Sequence, residues 1–166
     1  MVYQPDLTTL GFVLSRDRQS VLMVHRIARE SDEQLGKWNG LGGKVESGED
    51  VWSGLARELR EEAGIKATSM QLRGTVSWPG FHSDGGDVFG MIFIVDEYEG
   101  QPDAASEEGP LEWKKISEIP NLPMFEGDKY FVPLVFDPEV SSFHLVIPYE
   151  FGEPTGWSGH IERIGD

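Results

Sequence analysis

The sequence predicts a single mixed α/β domain, and three observations lead there. Its 166 residues amount to one domain at roughly 150 residues per domain. Hydrophobic residues make up 39% and include 9 Phe, 5 Trp and 4 Tyr, enough apolar surface to offset the ordering entropy of a folded chain. Short β-prone runs alternate irregularly with one well-marked helical stretch, and no repeat period appears.

Thr8 to Ser15 and Ser20 to Ile27 are β-prone runs separated by the polar Arg16-Asp17-Arg18-Gln19, which predicts a strand, turn, strand unit. From Ala28 to Val45 charges and the glycines Gly36, Gly40, Gly42 and Gly43 predict a loop reaching a site or a surface. The best helix runs from Val51 to Ala63 and is closed by Gly64, placed where a left-handed residue ends a helix. Ser69 to Ser77 and Val88 to Asp96 read as strands divided by a Gly80-to-Asp87 loop. Pro102 to Pro110 is an acidic connection, Leu111 to Lys114 a short strand, and Gly127 to Phe136 a short helix interrupted or ended near Pro133. Ser142 to Pro148 is the last strand. Residues 1–150 then form the domain, and 151–166 a Gly-rich tail without an assigned structure.

Composition excludes several functions. A net charge of −15 repels polyphosphate backbones, so no nucleic-acid polymer is expected as a partner. With no cysteine, disulfide scaffolds, thiolate zinc sites and thiol nucleophiles are out. The start shows no basic segment followed by an apolar one, and no apolar run approaches the roughly 20 residues of a membrane span. The expectation is a soluble, cytoplasmic protein without a membrane partner; oligomeric state is not readable. His25, His82, His144 and His160 lack ligand spacing and read as structural or surface residues.

The chemistry lies between Gly43 and Ile65. Glu58, Glu61 and Glu62 fall within about 100° of one helix face, beside an apolar arc of Trp52, Leu55, Leu59 and Ala63, with Trp52 expected in the core. Like charges at these spacings repel, so a cation should neutralise them; Arg57 and Arg60 are nearby. An oxygen-only cluster without His or Cys suits Mg²⁺ first and Mn²⁺ second. Just upstream, Gly40-Leu41-Gly42-Gly43-Lys44 offers backbone that can approach an anion, with a lysine beside it. A merely solvated acidic face remains the bland alternative.

Gly43, five residues, Glu49, seven residues, Arg57-Glu58-Leu59, one residue, Glu61-Glu62, one residue, Gly64-Ile65 resembles a complete Nudix box, with every specified position filled. The resemblance implies an α/β/α sandwich around a mixed β-sheet. It also implies hydrolysis of a nucleoside diphosphate linked to another group, by attack of water at phosphorus with Mg²⁺. By similarity, Glu58, Glu61 and Glu62 would hold metal and one of them could take the water's proton. Glu49 and Arg57 would position those carboxylates through an ion pair, and the Gly42 and Gly43 backbone would supply a carbonyl ligand or room for phosphate.

Trp38-Asn39-Gly40-Leu41-Gly42-Gly43-Lys44 is similar to the branch of the family that hydrolyses oxidised purine nucleoside triphosphates such as 8-oxo-dGTP. Asn121 to Phe131 also resembles that branch's base-recognition stretch, with Phe125 and Gly127 standing where some members carry Trp and Asp. The resemblance implies that Asn39 and Asp128 read the base edge, with Phe125 beside the ring and Glu108 as an additional metal ligand. Alternatives are a general diphosphatase acting on CTP, dNTPs or ADP-ribose, and a catalytically silent nucleotide sensor. RNA decapping is disfavoured by the charge.

Overall fold

The structure, a computed structural model, describes residues 1–31 and 35–165. The strands in chain order are β1 (Asp6–Leu14), β2 (Ser20–His25), β3 (Trp38–Asn39), β4 (Leu41–Lys44), β5 (Lys66–Trp78), β6 (Val88–Glu99), β7 (Ala105–Ser106), β8 (Gly109–Lys115), β9 (Val140–Val146), β10 (Tyr149–Glu150), β11 (Glu153–Pro154) and β12 (Ser158–Arg163). Helix α1 (Val51–Ala63) follows β4, a 3₁₀ turn (Ile116–Asn121) follows β8, and α2 (Asp128–Phe136) precedes β9.

The main sheet runs β12-β9-β5-β6-β1-β2-β8-β7. It is mixed: β1 is parallel to β6, and β5 to β9, while the other pairs are antiparallel. Alternation along the central strands splits the apolar residues between the two faces. Val13, Leu22, Val24 and Val95 pack with Leu55, Leu59 and Ala63 of α1. Phe12, Val21, Met23 and Ile92 pack with Phe131, Val132 and Val135 of α2. The result is a helix on each face of one sheet, the sandwich that the box resemblance implied. Leu55 and Leu59 are fully buried, each contributing about 1.5–3 kcal/mol of transfer free energy.

β1 pairs with two partners on the same side. Its first half lies against β4, with Leu10 opposite Gly42 and Thr9 opposite Gly43. Its end pairs with β2 through Val13–Leu22 and Leu14–Val21. This fork presents the glycine backbone of β4 to α1.

Several expectations change. The Ala28-to-Val45 loop contains β3 and β4, because both short segments find an open strand edge; residues 32–34 of that loop lie outside the described residues. The acidic connection contains β7. Pro133 lies inside α2 with its ring exposed, and the helix continues past it to Phe136. The Gly-rich stretch after 150 adds β12 to β9 at the sheet edge, and β10 and β11 form a small hairpin; residue 166 lies outside the described residues. Trp52 is 40% exposed. Leu55, Leu59 and Ala63 of the expected apolar arc are buried, and Trp52, in the first turn, is not.

Candidate active site

Helix α1 starts at Asp50, whose carboxylate accepts the Ser53 N–H at 2.8 Å, and ends on left-handed Gly64, whose N–H reaches the Arg60 carbonyl at 3.0 Å. Both ends are therefore fixed, which holds the carboxylates between them in register. Arg57 gathers the first of these. Its Nε and Nη2 grip the two oxygens of Glu49 at 2.7 and 3.0 Å. Its Nη1 donates to Glu58 at 3.1 Å and to Glu61 at 3.2 Å, and Nη2 also donates to the Lys44 carbonyl at 3.2 Å. The Glu49 pair, then Glu58, strengthens the hold of Arg57 on its proton, and Arg57 in turn keeps the Glu49 carboxyl below its ordinary value.

The glycines make room for this cluster. A Cβ at Gly43 would stand 2.6 Å from Glu58 Oε1, and one at Gly42, where φ is +155°, would stand 2.0 Å from the Thr9 carbonyl. The Gly42 N–H donates to Glu62 Oε2 at 3.1 Å. Successive strand residues face opposite ways, so with Gly43 turned to Glu58 the Lys44 side chain points away from α1 and pairs with Asp6 at 3.3 Å. Only the Lys44 carbonyl serves the cluster.

Glu62 lies deeper. Burial, reinforced by the charges of Glu108 and Glu58, pushes its carboxyl up to about 8; the Gly42 N–H and Arg26 offset part of this. Burial also raises Glu58, against the pull of Arg57. Glu108, in the turn between β7 and β8, is held by Arg26 at 2.8 Å. Glu61 is 58% exposed at its side chain. Among the described residues no three His, Asp or Glu side chains form a ready-made cage; Glu61 is drawn to Arg57 and Glu108 to Arg26. The donor set still fits a hard divalent cation, because it is all oxygen and because Glu62 and Glu58, whose ionised forms burial and neighbouring carboxylates disfavour, are groups that a cation would stabilise.

The other residues of interest lie where β3 meets the segment before α2, joined by the Trp38 N–H donating to the Pro123 carbonyl at 2.7 Å. Asn39 is half-buried on β3. Asp128 is 8% exposed, and burial pushes its carboxyl up to about 7 against the Phe125 N–H and the charge of Lys37. Phe125 separates two cavities. One, about 750 Å³, is walled by Leu122, Met124, Phe125, Asp128, Val132 and Phe136; the other, about 850 Å³, by Lys37, Phe81, His82, Phe125, Tyr149 and others. Asn39 and the α1 carboxylates line neither.

Sequence reasoning missed Arg26, Lys37, Phe81 and Tyr149. Phe81 packs edge-on against Phe125 and Tyr149 with ring centres 5.0 and 5.1 Å away, and the Tyr149 hydroxyl accepts the Gly127 N–H at 3.0 Å. These residues come from segments far apart in the chain, and no local spacing announces them.

The NUDIX domain family model matches residues 5–135. The chain belongs to the Nudix family. Among curated Nudix relatives, an uncharacterized Nudix hydrolase YvcI of Bacillus subtilis is 40% identical over 101 residues, covering 58% of this chain and 63% of that protein. An oxidized purine nucleoside triphosphate hydrolase of Danio rerio is 37% identical over 100 residues, covering 60% of this chain and 63% of its own. The match thus spans less than two thirds of these relatives. A crystal structure of the mutator MutT protein from Bacillus halodurans superimposes with a TM-score of 0.78 at 28% identity, covering 92% of this chain and 96% of that one. Among the described residues no helix of this Nudix protein is long and apolar enough to cross a membrane.

Proposed function

We propose that this protein is a Mg²⁺-dependent nucleoside triphosphate pyrophosphohydrolase, with Mn²⁺ as a substitute. It releases a nucleoside monophosphate and pyrophosphate in the cytoplasm, and its preferred substrates are oxidised purine nucleotides such as 8-oxo-dGTP. The observation that carries the reading is Glu62, half-buried and electrostatically opposed by Glu58 and Glu108, against a backbone bared by Gly42 and Gly43. Such an arrangement costs stability and makes sense as a cation site facing a polyanion.

Glu58, Glu61 and Glu62 would hold the ion, with Glu108 and the Gly43 carbonyl as further oxygen donors. When bound, it neutralises the diphosphate and makes a coordinated water more acidic. Arg57, clamped on Glu49, keeps Glu58 and Glu61 turned to one side, which lowers the reorganisation needed when substrate arrives. The water oxygen adds to phosphorus, the α–β anhydride bond breaks, pyrophosphate leaves, and the water's proton passes to a carboxylate of the α1 face. Glu62 Oε2 is steadied by the Gly42 N–H.

At the other end, Asn39 and Asp128 offer the donors and acceptors that a base edge requires, with Phe125 as the apolar wall. Similarity to a protein named for oxidised purine nucleotides supports this choice. The test is a nucleotide panel of 8-oxo-dGTP, dGTP, CTP, ADP-ribose and a capped RNA with Mg²⁺, scoring pyrophosphate separately from orthophosphate. Pyrophosphate release that chelation abolishes, greatest for the oxidised purine, is expected; orthophosphate as the main product defeats the reading.

A further inference from the structure

The histidines are scattered along the sequence, and the sheet brings two of them together. β9 and β12 run antiparallel with His144 directly opposite His160. Residues opposite one another on such a pair present their side chains to the same face, with Cβ atoms about 4.5–5.5 Å apart. Glu162, the next residue of β12 on that face, has its Oε1 3.4 Å from His160 Nε2. All three side chains are exposed. Behind them Thr75 of β5, the parallel partner of His144 on β5, holds His144 Nδ1 with its hydroxyl at 2.9 Å. With Nδ1 engaged by Thr75, the nitrogen through which His144 can bind a cation is Nε2.

We propose that His144, His160 and Glu162 form a second cation site, for an imidazole-seeking divalent ion such as Zn²⁺, and that the bound ion ties the edge strand β12 to β9. Two imidazoles and a carboxylate are a donor set that Zn²⁺ accepts, whereas Mg²⁺ prefers oxygen alone. The spacing agrees. Zinc–nitrogen and zinc–oxygen bonds at tetrahedral angles put the two ligand atoms about 3.3–3.5 Å apart, and the His160–Glu162 separation is 3.4 Å. The three groups are not a ready-made cage; being exposed, they turn about their side-chain bonds to close on an ion without disturbing the core. The Thr75 hydroxyl accepts the Nδ1–H of a metal-bound His144 and fixes its ring, as outer partners of histidine ligands do. The net charge of −15 draws cations toward the surface.

β12 ends the main sheet, paired with β9 on one side, and most of its residues are exposed. Such a strand opens more readily than the central ones. An ion held by both strands binds only while they are paired, so it stabilises that pairing. The site shares no residue with the α1 carboxylates and stands independently of the nucleotide reading.

The experiment titrates the protein with ZnCl₂ above neutral pH in excess Mg²⁺ and follows the imidazole nitrogens by ¹⁵N NMR. The resonances of His144 and His160 should change together and saturate at an equimolar amount, with His25 and His82 unaltered. His160→Ala should weaken Zn²⁺ binding at His144 by at least roughly tenfold, and Thr75→Val and Glu162→Gln by roughly tenfold, the low end for loss of an outer partner. In parallel, Zn²⁺ should slow hydrogen exchange of the β12 amides in the wild type and not in His160→Ala. Zn²⁺ that leaves both rings unmoved, or moves one without the other, overturns the site in the unmodified protein, whatever the variants do. Unchanged affinity in His160→Ala overturns it too, and β12 exchange that Zn²⁺ leaves unaltered overturns the tie between the strands.

Discussion

The two ends of the site are built in opposite ways. The carboxylate end comes mostly from one contiguous stretch, Leu41 to Ile65, in which a short strand and a capped helix carry the glutamates, Arg57 holds Glu49, Glu58 and Glu61, and the Gly42 N–H holds Glu62; Glu108, held by Arg26, comes from elsewhere. The proposed base end draws on Lys37, Phe81, Phe125, Asp128 and Tyr149, from the chain before β3, the loop after β5, the segment leading into α2 and β10, with Asn39 nearby in sequence on β3. The first end is charged and cramped. The second is aromatic, and its buried carboxyl, Asp128, lines one of two cavities that share Phe125. Under the proposed function, the chemistry of phosphate cleavage would be tied to local chain geometry, while the choice of base would depend on tertiary packing.

The sharpest test of that division is Glu62→Gln. It keeps shape but removes a charge a divalent ion requires, so kcat should fall by at least about a hundredfold with the circular-dichroism spectrum unchanged. Near-wild-type turnover at saturating Mg²⁺ would return α1 to the status of a solvated face.

The second test concerns stability. Glu62 has a folded-state proton affinity raised from the ordinary value of 4.5 to about 8. The folded protein holds this proton more tightly than the unfolded chain, so the contribution to stability is full below pH 4.5 and is lost as pH rises through 8. Asp128 acts with the same sign between 3.8 and about 7. Melting temperature should therefore decline from pH 5 to pH 8 in metal-free protein, and Mg²⁺ at pH 8 should recover the part due to Glu62. Asp128→Asn should flatten the remaining decline without altering the Mg²⁺ response. A Mg²⁺-independent melting curve would sever the link between the buried charge and the ion.

Third, Asp128→Ala should cost about 1–3 kcal/mol of discrimination between 8-oxo-dGTP and dGTP, seen as a change in the ratio of kcat/KM values, with pyrophosphate release retained. Equal slowing of both substrates would join the two ends into one unit. The smallest effect belongs to Trp52→Ala: the side chain is exposed, so its unfolding free energy in urea should change by less than about 0.5 kcal/mol.

How much was legible follows from the same contrast. The helix from Val51 to Ala63 and its Gly64 end match the observed α1 because caps and periodicity are local signals. The Glu49–Arg57 pair is equally local, eight residues apart and bridged at 2.7 Å. Trp52 was misread because the helical wheel, on which it shares the sector of Leu59 and Ala63, gives a direction and not how far along the helix the sheet covers it; it stands in the first turn of α1 and is 40% exposed. β3, β4 and β7 are two to four residues long and carry no alternation to detect; they are strands because an edge was waiting for them. β12 escaped notice because its exposed residues lack the apolar period of a buried strand. Lys37 was invisible for a further reason: its partners lie 87 and 88 positions along the chain.

The hydrogen bond from the Gly42 N–H to Glu62 gives the site a spectroscopic handle. A main-chain amide that donates to a carboxylate shifts its proton resonance with the charge on that carboxylate. At 3.1 Å, Gly42 is attached to the most deeply held acid of the cluster. Its position opposite Leu10 in the sheet keeps the backbone from drifting as that charge changes. One resonance, from a residue with no side chain and no reactive group, can thus record the protonation of Glu62 and, under the proposed function, its capture by a cation, while the carboxylates of the cluster remain unaltered.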